Sequence, residues 1–589
     1  MKFITEFCFF TGAQQYQFVT NTIVIKPQEI MFSRLFRHQS FRKSFSENIR
    51  RFSFRSRYNG SNRTRFSRKN VTVGVGVTLV ASAVLVDFDP IKHAGVSSLR
   101  AYRVVYTGFV CFSDYKKVLT DKYETPEDRK HALSRCHLRC AKRTLKVFEE
   151  NGGIYIKVGQ HLSVMDYIIP KEWTETLIPL QDQCPMTSVQ DLDKLFFKDT
   201  GKHIDEYFEY FDPKPVGVAS LAQVHKAKLK NNGQLVAVKI QHPPVSEFCA
   251  LDLSMTRWVF KAIKYFFPDY NLFWISDEIE KTLPQELDFT MEAKNAQRTR
   301  DHFAKIKTAL YIPEVVWADN RILVMEFVKG SRIDDMNFYD THDVSREQVS
   351  LELCHIFNEM IFGKGGHLHC DPHGGNVFIR EKPKHSSSPR NFEIVLLDHG
   401  LYRDIPLQLQ RDYARMWLSI INFDETSLRY YAKKVANVDD AKFSIFASAI
   451  TGRDYKAIKE HRISSRRGLE ERDRLLKALD QTDLLGKIIQ LLSDVPRTVL
   501  LLMKTNDLVR SLDDNLQTRS GPEKLFLIMA RYCLRTVHEE DMEKITQQSK
   551  HQYYPSTILK KLGCSVRYWF GCLRYLMLEN YFYYKNLYF

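Results

Sequence analysis

The run His367–Phe378, HLHCDPHGGNVF, constrains the fold more than any other part of the chain. Three histidines, a cysteine, an aspartate and an asparagine fall within twelve positions. A helical pattern at about 345–363 precedes it, and two short apolar runs follow, NVFIR (376–380) and EIVLLDHG (393–400). These read as strands, and residues 381–390, EKPKHSSSPR, as the polar loop between them. A polar segment framed by rigid elements on both sides is the usual carrier of chemistry.

Two chemistries compete for it. His367, His369, Cys370 and His373 have the ligand chemistry of zinc. They crowd one loop, however, and no second cluster completes a shell. The other reading rests on spacing. His369, Asp371 and Asn376 form H-x-D-x-x-x-x-N, the interval at which protein kinases place a catalytic Asp and a metal-binding Asn. Downstream, Asp398 ends a strand in LLDHG, where kinases carry the Asp of D-F-G. Upstream, Lys239 in VAVK takes the place of the strand-three lysine. Each match alone is weak, but four in the correct order and structural contexts are specific.

The set assigns roles. Asp371 accepts or orients a hydroxyl proton, and Asn376 and Asp398 offer oxygen ligands to a magnesium ion completed by waters and phosphates. Lys239 pairs with the α- and β-phosphates of ATP (or ADP) and needs a carboxylate to hold it. Glu292 in LDFTMEAKNA is the candidate. LVMEFV supplies a hinge, with Met325 at its entrance and backbone groups of Glu326 to Val328 facing the adenine.

One kinase feature is missing. Between about 215 and 245 the pattern is a β-hairpin, SLAQVHKAKL and QLVAVKI joined through NNG. The segment before it should read G-x-G-x-x-G. Here Gly217 is followed by Val218, Ala219 and Ser220. Side chains at these positions keep backbone from approaching phosphates as a glycine loop does. Ordinary protein-kinase activity is therefore disfavoured.

On these residues the chain resembles the UbiB or aarF-domain family of atypical kinase-like proteins. KVGQ, Lys157 to Gln160, matches the family's K-x-G-Q motif, and GVAS its alanine-rich loop, with Gly217 and Val218 departing from the usual alanines. ELD, with Glu286 and Asp288, matches E-x-D. HCDPHGGN matches the family's catalytic loop, with Gly375 departing from the usual order, and LLDHG departs at His399. The stretch VPRTVLLLMKTNDLVR (495–510) is similar to the branch of mitochondrial aarF-domain-containing kinase one. The resemblance implies an α+β, bilobal protein-kinase-like fold with a helical N-terminal extension and a helical C-terminal region. It also implies that the K-x-G-Q helix lies over the substrate cleft, with Lys157 meeting Glu286 or Asp288. It implies ATP or ADP with magnesium, and links to isoprenoid lipid or quinone metabolism, mitochondrial lipid balance and cristae.

The expected organisation is a targeting segment at 1–70, a membrane-spanning candidate at 71–86 and a helical extension at 87–214. A kinase-like N-lobe follows at 215–330, then a C-lobe at 331–460 and a helical region at 461–589. Net charge is +16, which raises nucleic acid or an anionic membrane as partners. Residues 32–70 carry much of the excess, rich in Arg and Ser with Glu47 as the single acid, and Phe and Leu are interleaved. That is the composition of a mitochondrial presequence, with a nucleic-acid-binding arm as the alternative. Residues before Met31 fit a presequence poorly. VTVGVGVTLVASAVLV (71–86) is uncharged and sixteen residues long, just below the roughly 17–25 of a membrane helix. A buried strand or core helix is its alternative. If it spans the inner membrane, the basic arm stays in the matrix and the rest faces the intermembrane space. Eleven scattered cysteines argue against a disulfide-stapled scaffold.

Three function classes follow: an ATPase or phosphotransferase acting on or gated by a lipid, a nucleotide-binding scaffold without turnover, and a protein kinase. The expected partners are the mitochondrial inner membrane, an isoprenoid or phospholipid, and membrane-organising or protease proteins, without nucleic acid.

Overall fold

The computed structural model describes residues 89–163, 169–182, 184, 186–266, 273–440, 442–451, 495–518, 522–548 and 555–588. The expected targeting segment and the candidate span at 71–86 lie outside them. Among the described residues no helix is long and apolar enough to cross a membrane. The chain divides into two compact units, and all that follows concerns the one containing Arg100–Phe589.

The longer helices are α1 Asp89–Thr120, α2 Pro126–Asn151, α3 Ile154–Ser163, α4 Val189–Thr200, α5 Pro243–Phe266, α6 Phe273–Glu286 and α7 Phe289–Phe303. They continue as α8 Arg346–Phe362, α9 Leu407–Ile421, α10 Glu425–Ala436, α11 Arg497–Asn515, α12 Pro522–Gln548 and α13 Pro555–Tyr588. The strands are β1 Phe208–Phe211, β2 Gly217–Val218, β3 Ala222–Leu229, β4 Leu235–Gln241, β5 Leu310–Tyr311 and β6 Val315–Ala318. Then come β7 Ile322–Glu326, β8 Ser331–Arg332, β9 His367–His369, β10 Val377–Glu381, β11 Phe392–Leu396 and β12 Tyr402–Asp404.

A sheet in the order β1-β3-β4-β7-β6, with β2 added beside β3, forms the first lobe. All its pairings are antiparallel. Alternation along β4 decides which side chain faces which way. Val236, Val238 and Ile240 are fully buried against Leu192 and Phe196 of α4. Ala237 and Lys239 therefore point to the opposite face, which α7 covers with Phe289 and Ala293. The lobe takes in β1 and α4, ahead of the expected boundary at 215.

The second lobe holds the mixed sheet β5-β11-β10-β8 and the two-stranded β9–β12 ribbon. Its core does not stop near 460. Leu368, Tyr413 and Trp417 share one buried cluster with Val499, Leu500, Leu502 and Met529. Helices α11 and α12 are thus part of the lobe, and α11 reaches the loop after β9. Tyr413 and Trp417 are essentially inaccessible. Each contributes on the order of 3 kcal/mol of burial that α11 and α12 help supply.

Helix α3 carries the K-x-G-Q residues. Its Gly159 has a structural cause: a Cβ there would collide with the buried Leu180 side chain and lie 3.0 Å from Phe148. The glycine lets α3 seat against both.

Candidate nucleotide site

The covered face of the first sheet positions Lys239. Its Nζ donates to both carboxylate oxygens of Glu292 at 2.8 Å each and lies 3.9 Å from Asp398. It also sits 5.0 Å above the Phe289 ring. Glu292 is 3% exposed, on the first turn of α7. Burial works against the Lys239 ammonium, but Asp398 and Glu292 outweigh it and hold the pKa above the ordinary lysine value. The cation is therefore retained.

Asp288 explains where α7 begins. Its carboxylate caps the helix, accepting from the Thr290 amide at 3.0 Å and hydroxyl at 2.6 Å. The neighbouring Glu286 is the last residue of α6 and forms an ion pair with Lys157 of α3. The two acids of the E-x-D triplet thus part company across a helix break. One pairs with α3, and the other fixes the helix that presents Glu292. Gln160 is turned away, donating to the Leu180 carbonyl at 3.0 Å. His161, one turn beyond Lys157, is pushed down to about 3 by burial and by Lys157, with Lys504 and Asp371 also acting on it. His161 of α3 thus lies within electrostatic reach of the loop that carries Asp371.

That loop hangs on one histidine. The Asp371 amide donates to His369 Nδ1 at 3.1 Å, so Nε2 carries the proton and donates to the Asp398 carbonyl at 2.7 Å. His369 is 1% exposed, and burial lowers its pKa, which keeps this neutral tautomer. It ties the Asp371 backbone to that of Asp398. His399 repeats the device. Its Nε2 donates to the Leu396 carbonyl at 3.2 Å and its Nδ1 accepts from the Tyr402 hydroxyl at 2.9 Å. Burial, then His369, push it down to about 3. The His399 carbonyl accepts from Asn295 of α7 at 3.0 Å, linking this loop to the helix that holds Glu292.

Asn376 turns its amide nitrogen to the Asp371 carbonyl at 3.5 Å, which leaves the side-chain oxygen to face a cation. Asp398 accepts from the Gly400 amide at 2.9 Å. Burial raises its pKa, but Lys239 leads the opposing interactions and the net shift is downward. An ionised carboxylate and an amide oxygen are the hard donors magnesium takes, with waters and phosphates supplying the rest. The donor set fits that ion.

Sequence reasoning missed Lys504. This residue of α11 is 3% exposed, and its Nζ donates to Asp371 Oδ1 at 2.8 Å. Burial raises the Asp371 pKa, but the Lys504 charge and hydrogen bond, with His373 and His369, outweigh it and hold the carboxyl well below the usual carboxylate range. The signal lay in the apolar run LLLMKTND, where a lysine sits among core residues. Such a lysine needs a carboxylate nearby.

The glycine-poor segment is satisfied internally. Gly217 and Val218 pair with Val224 and Gln223 as β2. The Ala219 amide donates to the Ala222 carbonyl at 2.8 Å, and the Ala219 carbonyl accepts from His242 at 3.0 Å. The Ala219 amide is therefore not offered to phosphate. Ser220 follows in the tight turn into β3. At the expected hinge Met325 is 9% exposed on β7. The Glu326 amide is already bonded to the Glu314 carbonyl at 2.8 Å, which leaves Val328, just beyond the strand, as the position free of that ladder.

The four residues of the zinc reading disperse. His367 bonds Asp404 at 2.9 Å, and His369 is committed as above. Cys370 is buried, and His373 accepts from the Gly375 amide at 3.1 Å. Among the described residues no three histidine, cysteine or acidic side chains converge to hold a metal ion.

The profile of the ABC1 atypical kinase-like domain matches residues 179–432. An ABC1 family protein MCP2 homolog of Schizosaccharomyces pombe is 63% identical over 88% of this chain and 93% of its own length. ABC1 family protein MCP2 of Saccharomyces cerevisiae is 46% identical over 82% and 87%. AarF domain-containing protein kinase 1 of Mus musculus is 37% identical over 79% and 86%. With Lys239, Glu292, Asp371, Asn376 and Asp398 placed as described, the chain belongs to the ABC1, or AarF-domain, family of atypical kinase-like proteins.

Proposed function

We propose that this protein binds ATP with magnesium and turns it over as an ATPase or phosphotransferase. The observation that carries the reading is Lys239, held by both Glu292 oxygens at 2.8 Å with Asp398 3.9 Å away. A buried cation, kept charged beside an anionic metal ligand, suits nucleotide phosphates and little else. Asn376 and Asp398 would hold the magnesium, whose charge offsets that of the phosphate oxygens. Lys239 would orient the α- and β-phosphates. Asp371, kept ionised by Lys504, would accept or orient the proton of the attacking hydroxyl or water. Met325, Glu326 and Val328 would flank the adenine.

The acceptor in this reading is not a generic peptide. The Lys157–Glu286 pair ties α3 to the end of α6, and we read α3 as covering the cleft where a peptide would dock. We assign a lipid, isoprenoid or phospholipid, as substrate or effector, and no nucleic acid. The basic, acid-poor arm supports mitochondrial import, with the inner membrane as the site of action and the kinase-like domain facing the intermembrane space. Lipid homeostasis and cristae organisation, with membrane-organising or protease proteins as partners, complete the proposal.

The internal bonding of Ala219 favours a second reading, a nucleotide-binding scaffold with weak turnover. Purified full-length protein with radiolabelled ATP, with and without mitochondrial lipid extract, separates the two. Lipid-stimulated turnover that Lys239→Met abolishes supports the enzyme. Magnesium-dependent ATP binding without turnover supports the scaffold.

A further inference from the structure

Helix α13 has two apolar faces. One packs on α12: Cys564 and Tyr575 are buried, a Cβ at Gly571 would lie 2.8 Å from Leu534, and Glu579 pairs with Arg531 at 3.2 Å. The other face is open. Leu559, Leu562, Val566, Trp569, Phe570 and Leu573 are all exposed, and the row continues to Tyr581. At 3.6 residues per turn these exposed apolar residues fall within an arc of roughly 140°. Trp569 and Phe570 are 68% and 73% exposed. A continuous apolar row of this length marks an interaction surface.

Charge says what covers it. Lys560, Arg567 and Arg574 are exposed along the edge of the row, Arg574 also donating to Asn422. Glu579 is the single acid between 555 and 588, and it is engaged by Arg531 on the packed side. A second copy of this chain would bring the same cations against these. An anionic lipid surface complements them. Tryptophan and phenylalanine over a basic border is the composition of a helix lying in a bilayer interface. The helix is not apolar enough to span.

We propose that the outer face of α13 docks in the plane of an anionic phospholipid bilayer, with Trp569 and Phe570 among the acyl chains and Arg567 and Arg574 at the headgroups. This surface is separate from the nucleotide site, and failure of ATP turnover would leave it untouched.

The test uses purified full-length protein and vesicles carrying brominated acyl chains, of phosphatidylcholine alone or with phosphatidylglycerol. The fluorescence difference between wild type and Trp569→Phe reports Trp569 alone, whatever residues 71–86 do. That signal is expected to be quenched by the anionic vesicles. Arg567→Gln with Arg574→Gln is expected to weaken the vesicle concentration dependence roughly 25-fold, about fivefold per charge. Because these side chains are exposed, thermal melts of the variants serve as the folding control and should match wild type. An unquenched Trp569 signal overturns the proposal. So does equal quenching by both vesicle types with no effect of the arginine variants. So does sedimentation showing a dimer in the absence of vesicles that Phe570→Ser abolishes.

Discussion

Lys504 and Asp371 are 133 residues apart in the chain and 2.8 Å apart in space. The cation is buried, its side chain 4% exposed, whereas the carboxylate is 40% exposed and opens toward the cleft. A buried ammonium is costly unless it does something an apolar residue cannot. Here it favours the anionic form of Asp371, the carboxylate proposed as the proton acceptor.

Replacing Lys504 with methionine keeps an apolar side chain of similar length in the core but leaves Asp371 without its partner. Because that carboxylate is 40% exposed, the cost in stability should be modest, about 1–3 kcal/mol. ATP turnover should nevertheless fall about tenfold or more, through a lost general base. The pH profile supplies a second readout. Asp371 has a depressed pKa in the folded protein, so the stability it contributes is present above the ordinary value of about 3.9 and is lost as pH falls through the lower folded value. Without Lys504 the leading interaction that lowers the pKa is gone, so an acidic limb should enter the activity profile at higher pH than in wild type. An unchanged profile with unchanged turnover would remove Lys504 from the site.

Glu292 and Lys239 should behave as a coupled pair. Glu292→Ala leaves a buried ammonium with Asp398 3.9 Å away as its nearest remaining anion, and should cost roughly 3 kcal/mol. Adding Lys239→Met should recover much of that loss, while ATP binding stays absent. Denaturant melts of the two single variants and the double variant measure the coupling. Additive losses would contradict a direct pair.

At Gly159 the smallest possible insertion is the test. Gly159→Ala drives a methyl into Leu180 and Phe148, and should cost about 1–3 kcal/mol by overpacking. Leu180→Ala in the same chain should relieve part of it, read by thermal unfolding. Gly159→Ala alone at wild-type stability would mean that α3 shifts freely.

Lys157→Ala tests whether α3 closes the cleft. The Lys157 and Glu286 side chains are 19% and 17% exposed, so the loss is about 1–3 kcal/mol, less than for a fully buried pair. Phosphate incorporation into the protein itself or a generic peptide should rise. A wild type that already phosphorylates peptide, with a variant unchanged in activity and stability, would contradict the closed cleft.

Much of the site was legible because its spacing is local. Asp371 and Asn376 sit in one loop, Asp398 follows the strand β11 that pairs with β10, and Lys239 stands on the half-buried side of an alternating strand. Glu292 could be named because a phosphate-binding lysine such as Lys239 needs a carboxylate to hold it. What stayed hidden depended on tertiary contact. Lys504 lies in a run that reads as core, and only the packing of α11 against β9 brings it to Asp371. The parting of Glu286 from Asp288 was hidden as well, since the triplet does not reveal that a helix ends within it. The expected boundary at 460 placed α11 and α12 outside the second lobe, whereas Val499 and Met529 lie in its core.

The central claim is magnesium-dependent nucleotide binding through Asp398, and a thermal-shift titration of purified protein with ATP measures it most directly. Wild type should be stabilised by ATP with magnesium, by about 2.7 kcal/mol at a hundredfold excess over the dissociation constant, and much less by ATP with a chelator. Asp398→Asn keeps the shape and removes the anionic ligand, so its shift with magnesium should fall to the chelator value. If Asp398→Asn responds to ATP and magnesium as wild type does, the site described here is not a magnesium–nucleotide site.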